Sequence, residues 1–133
     1  MTNSNDPLLK VLRETTVAMV RRDGPDLSAR QLAVFLTCYL SESAHTVRGL
    51  AAALNVSKPA ITRALDRLGD LDLARRKVDP ADRRSVLVQR TLKGAAFLRD
   101  LRAITQAAAK GTEDGSSKTV GADTDSPRRA ASA

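Results

Sequence analysis

Residues 46–94 read TVRGLAAALNVSKPAITRALDRLGDLDLARRKVDPADRRSVLVQRTLKG, and the order of elements along them decides the fold. Thr46 caps a short helix carrying Val47, Leu50, Ala51 and Leu54, and Asn55 suits the left-handed conformation that closes it. Ser57 at once caps the next helix. Val56 and Ile61 form a hydrophobic staple, and Ile61, Leu65 and Leu68 face inward. A connection of about three residues between two such helices is the length found in a helix-turn-helix. Leu73–Lys77 and Ser85–Arg90 then predict two short strands, joined by a polar turn from Val78 to Arg84 built on Asp79-Pro80. Thr91 caps a last helix with Phe97, Leu101, Ile104 and Ala108 on one face. A hairpin directly after a helix-turn-helix makes a winged helix: mainly α, with a small β-hairpin wing (α+β).

Two helices precede this stretch. Ser28 and Gln31 form a capping box and Leu27 and Leu32 a staple; Leu32, Phe35, Leu36, Tyr39 and Leu40 supply a wide core face. Before them, Asp6 and Pro7 open a first helix with a broken stripe of Leu8, Leu12, Met19 and Val20, stopped by Gly24-Pro25. Its apolar face lacks the Trp or Phe anchors of a membrane-surface helix, so it reads as a dimer-interface helix. The helical pattern ends near residue 109. Residues 1–109 therefore read as the folded domain, and residues 110–133, rich in Gly, Ser, Thr and Asp, as a disordered tail.

Composition narrows the partner. The 133 residues carry 22 Lys and Arg against 15 Asp and Glu, a net charge of +7. Residues 110–133 hold Lys110, Lys118, Arg128 and Arg129 against Glu113, Asp114, Asp123 and Asp125, so the whole excess sits on residues 1–109. A small basic domain meets a polyanion, most often nucleic acid. Only Phe35, Tyr39 and Phe97 are aromatic, which argues against a reader that stacks single-stranded bases on aromatic platforms. The single cysteine, Cys38, excludes an internal disulfide and any multi-cysteine metal site, and reads as a small buried hydrophobe. His45 has no partner ligands at metal-binding spacing, and no nucleophile–base set or carboxylate pair emerges. No enzyme and no cofactor are expected. The polar N-terminus has no signal-peptide core, and a cytoplasmic location is expected.

Over Thr46–Gly94 the sequence resembles the MarR family of winged-helix transcription regulators. The family's wing pattern, Asp-x-Arg followed after five residues by Leu-Thr, appears as Asp82-Arg83-Arg84, five residues, then Arg90-Thr91, with Lys93-Gly94 beyond. Departures are Gly49 for an acidic residue, Asp72 for Gly, Arg90 for Leu, and a C-terminus reduced after about residue 109. The resemblance implies that Arg84 inserts into a minor groove, with Asp82 orienting it and Arg83 supporting it at the backbone. Relatives form two-fold dimers; with the C-terminus reduced, the expectation is either a homodimer built by the first and last helices alone or a monomer that reads one half-site. Some relatives sense oxidants through a cysteine, which draws attention to Cys38. No small-molecule effector is expected, because the reduced C-terminus leaves a smaller roof for a pocket.

The expected partner is double-stranded DNA. Helix 57–69 would offer Ser57, Lys58, Pro59, Thr62 and Arg63 to the major groove, where base edges are distinguishable. The wing, residues 73–90, would bring Arg76, Asp82, Arg83 and Arg84 to the minor groove, whose width and potential arginine reads. Arg30 and Arg48 are candidates for flanking phosphates. The rival reading is an adaptor that docks a protein on the first and last helices, since fold does not fix function.

Overall fold

A computed structural model describes residues 5–117, with side chains through residue 113. The elements run α1 (Pro7–Arg21), α2 (Ala29–Leu40), β1 (His45–Thr46), α3 (Val47–Leu54), α4 (Lys58–Asp70), β2 (Ala74–Asp79), β3 (Asp82–Arg90) and α5 (Leu92–Ser117). The described residues fall into two compact units, one of residues 23–101 and one of residues 5–22 with residues 102–117, where a single domain of residues 1–109 was expected. The tail expected over residues 110–133 is helical as far as Ser117, and its remainder lies outside the described residues. Gln106–Lys110 is a run of strong helix formers, so the two glycines that follow, Gly111 and Gly115, each worth about 1 kcal/mol, do not stop the helix before Ser117.

The helix starts follow the capping chemistry. The Asp6 carboxylate accepts from the N–H groups of Leu8 (3.0 Å) and Leu9 (3.3 Å). The Ser28–Gln31 capping box closes in both directions, at 3.1 and 2.9 Å. Thr46 Oγ1 accepts from Gly49 N–H at 2.9 Å, and Ser57 Oγ from Ala60 N–H at 3.2 Å. Asn55 takes the left-handed conformation, φ 56°, expected of a helix end.

The core of the winged-helix unit gathers Val34, Phe35, Leu50, Ile61, Leu68 and Leu73, all essentially inaccessible. Phe35 stacks on Tyr39 at 4.3 Å and meets Phe97 edge-on at 5.2 Å. The face of α2 is turned slightly from the expected one: Val34 and Cys38 are buried, whereas Leu40, in the last position of α2, is 70% exposed.

The sheet has three strands, in the order β1-β3-β2, all antiparallel. The two-residue β1 was not expected; His45 and Thr46 pair with Val88 and Leu87 just before Thr46 caps α3. The hairpin is longer than expected. Its strands begin at Ala74 and Asp82, and its turn is Pro80-Ala81 alone. Asp79 tightens that turn by accepting from Ala81 N–H at 2.9 Å, which mimics a backbone turn and lets pairing run to Asp79–Asp82.

Three segments meet on one hydroxyl. Tyr39 Oη donates to the Leu73 carbonyl at 2.6 Å and accepts from Thr91 N–H at 2.9 Å. Thr91 Oγ1 donates to the Asp72 carbonyl (2.7 Å) and accepts from Gly94 N–H (2.8 Å), capping α5. A β-carbon at Gly94 would lie 1.8 Å from Tyr39 Oη and 2.4 Å from the Leu73 carbonyl oxygen, so only glycine fits. Asp72 holds φ 59° and takes Arg75 onto its carboxylate at 3.0 Å. Arg90 lies over the Tyr39 ring, donates to Cys38 O at 3.1 Å and also reaches Ser41 O, closing carbonyls left open at the end of α2.

In the unit of residues 5–22 and 102–117, α1 buries none of its residues. Leu8 is 79% and Leu12 61% exposed.

Tyr39→Phe strands the Leu73 carbonyl and the Thr91 N–H together. Each buried orphan costs about 1–3 kcal/mol, so urea unfolding of the variant is expected to show a loss of about 2–4 kcal/mol with an unchanged m value. Burial pushes the Cys38 thiol up to about 11, although Arg90 opposes the shift. Thiolate is the reactive form, so at pH 8 only about one Cys38 in a thousand is ionised. The native protein is therefore expected to resist a thiol-labelling reagent that modifies the denatured chain at once. Rapid native labelling would restore Cys38 as an oxidant sensor.

Candidate nucleic-acid interface

The amphipathic pattern of α4 decides which side chains are free. Ala60, Ile61, Ala64, Leu65 and Leu68 are buried, which turns Ser57, Lys58, Pro59 and Arg63 outward and leaves Thr62 half-buried. Lys58 stands in the first turn, at the positive end of the helix dipole. The Pro59 ring has no N–H to lose there, since the first-turn donors have no intrahelical partner.

In the wing, Asp82, Arg83 and Arg84 lie on β3 and not in a turn. The Asp82 carboxylate accepts from Arg84 N–H (3.1 Å), from Ser85 Oγ (3.3 Å) and, at the longer distance of 3.4 Å, from Arg84 Nε. The backbone hydrogen bond from Arg84 is the main cause holding this carboxyl below its usual range, and the Arg48 charge adds to it. The Arg84 side chain is 90% exposed even so. Asp82 thus holds the arginine by its backbone N–H and, at longer range, by the Nε edge of its guanidinium, and leaves the terminal nitrogens in solvent.

Arg76 stands differently from Arg84. It is bonded to the Asp66 carboxylate, which ties the wing to α4. Asp66 is exposed on the same helix that carries Lys58 and Thr62.

Lys58, Thr62, Arg76 and Arg84 line one concavity of about 240 Å³, and Arg48 of α3 joins them there. Four of the nine residues expected at the interface thus converge. Asp82 holds Arg84 from beside it, while Ser57, Pro59, Arg63 and Arg83 are exposed and outside the concavity. The sequence marked Arg48 only as a flank residue. Its place follows from α3 starting directly off the strand that pairs with β3. No group of His, Cys, Asp and Glu that could hold a metal occurs among the described residues, and none of their helices is long and apolar enough to cross a membrane.

Residues 25–85, from before α2 to the start of β3, match the model of the MarR family. Comparison with curated proteins finds no significant match. Among solved structures, the YusO protein from Bacillus subtilis superposes with a TM-score of 0.65 at 22% identity, over 78% of this chain and 71% of that one. A mutant MarR from E. coli complexed with operator DNA gives 0.63 at 26% identity, over 82% and 76%. CouR from Rhodococcus jostii, bound to p-coumaroyl-CoA, gives 0.60 at 28% identity, over 79% and 71%. MarR proteins are a family of transcription regulators rather than of enzymes. The helix-turn-helix and the hairpin after it agree with these likenesses, and the chain is a winged-helix protein similar to the MarR family.

Proposed function

We propose that this protein is a sequence-specific double-stranded DNA-binding transcriptional regulator, with helix 57–69 in the major groove and the wing, residues 73–90, in the adjacent minor groove. The observation that carries this reading is the convergence of Lys58 and Thr62 from α4 with Arg76 and Arg84 from the wing on one basic concavity. An exposed ion pair contributes only about 0–1 kcal/mol, so fold stability is a weak reason for such a concentration of cations. The MarR of E. coli, similar at 26% identity, was solved with operator DNA. Ser57, Lys58, Pro59, Thr62 and Arg63 are the major-groove set. Arg84 is the minor-groove reader, oriented by Asp82, with Arg83 on the backbone.

The functional unit is a homodimer that uses the first and last helices. The exposed Leu8, Leu9, Leu12 and Val20 of α1 support this, because an isolated helix gains nothing from a leucine-rich face in water. Such a dimer reads a two-fold site with half-sites about 34–36 Å apart. The same exposed face is what favours the second reading, an adaptor that docks another protein.

Selection from a random double-stranded DNA pool at about 0.15 M salt separates the two readings. A palindromic motif is expected, and the Arg83→Ala/Arg84→Ala double variant is expected to bind it at least tenfold more weakly, since hydrogen bonds from charged groups contribute about 1.5–3 kcal/mol each. No enrichment, with only salt-sensitive bulk binding, would leave the adaptor.

A further inference from the structure

The helical period fixes which residues of α4 stand farthest from the core. Ala60, Ile61, Ala64, Leu65 and Leu68 are its buried side. At about 100° per residue, the face directly opposite is made by Pro59, Thr62, Arg63 and Asp66, spaced i, i+3, i+4 and i+7. Pro59 and Asp66 lie nearest its centre line. The first three belong to the proposed major-groove set, and Asp66 continues the same face by one turn.

A carboxylate on a face that meets a polyanion is repelled unless a cation accompanies it. Asp66 has one. Its Oδ1 accepts from Arg76 of β2, and the pair as a whole is neutral. Its Oδ2 accepts no hydrogen bond among the described residues, and the side chain stays 53% exposed. Asp70, a turn further on at the end of α4, has no such cation among the described residues. Asp66 therefore keeps one free acceptor on the outward face, with its charge already balanced. In a major groove only the amino groups of cytosine (N4) and adenine (N6) donate, whereas N7, O6 and O4 are acceptors that repel a carboxylate. The adenine amino group sits beside the N7 acceptor and the cytosine amino group does not. Cytosine is the base that fits.

We propose that Asp66 is a specificity-determining residue that accepts a hydrogen bond from a cytosine amino group in the recognition site. Arg76 is its positioning residue, holding the carboxylate from the wing and neutralising it. The proposal rests on the DNA-binding reading above and adds a base contact that works by exclusion as much as by attraction. Guanine or thymine at that position would set an acceptor against the carboxylate.

Asp66 is exposed, so Asp66→Ala and the isosteric Asp66→Asn are expected to fold, with thermal melts close to the wild type. Selection from the random double-stranded pool is repeated with each. The wild-type motif is expected to hold one position per bound α4 at which cytosine is preferred roughly tenfold. Asp66→Ala flattens that position alone. Asp66→Asn moves its preference to adenine, whose N6 and N7 an asparagine matches. Arg76→Ala flattens the same position, and the Asp66→Ala/Arg76→Ala double variant discriminates no less there than either single one, as coupled residues do. A wild-type motif selected by Asp66→Ala, with affinity changed by one factor on every sequence, would overturn the proposal and leave DNA reading intact. A wild type that enriches no motif would sink both.

Discussion

The hydroxyl of Tyr39 is the point on which the winged-helix unit hangs. It joins α2 to the chain on both sides of the wing, by donating to Leu73 and accepting from Thr91. Both hydrogen bonds lie at the edge of the Phe35–Tyr39–Phe97 cluster, where a polar group without a partner is costly. The fit dictates its neighbours: glycine at 94, a hydroxyl at 91 that serves both Asp72 and Gly94, and a positive φ at Asp72 that delivers the Leu73 carbonyl. Arg90 extends the same junction to the end of α2. The wing is thus fixed at its base by buried bonds and held at its tip by exposed ones.

That gradient fits the proposed groove reading. The base gives the recognition helix and hairpin a constant spacing, while the tip keeps side chains that can adjust to a groove. Arg84 shows the compromise. Asp82 restricts its first torsions while the side chain stays largely hydrated, so on the proposed reading ordering it against DNA would cost less than ordering an unguided arginine. Asp66 limits Arg76 in the same way from α4.

The caps were legible because their chemistry is local. Asp6, Ser28, Thr46 and Ser57 each announce a helix start through a side chain that satisfies the backbone beside it, and Asn55 announces a helix end by tolerating the left-handed conformation. What escaped the sequence depends on partners distant along the chain. The strand at His45–Thr46 exists because β3 passes beside it. The role of Arg90 needs the carbonyls of Cys38 and Ser41, about fifty residues away. The convergence of Arg48 with the wing is likewise set by the pairing of β1 with β3, which no periodicity encodes. The end of α5 was set too early because Gly111 and the polar residues after it resemble a linker, whereas the alanines before it carry the helix on.

The strand β2 lies at the edge of its sheet, with Arg75, Arg76 and Lys77 exposed in succession. An open edge strand is a template for another chain to pair with, and a row of like charges keeps two such edges apart. The cations that lie beside the proposed DNA site therefore also keep the free protein from associating edge to edge. On the proposed reading, affinity for a polyanion and colloidal stability would be bound to the same side chains, so that drift at these positions would weaken both.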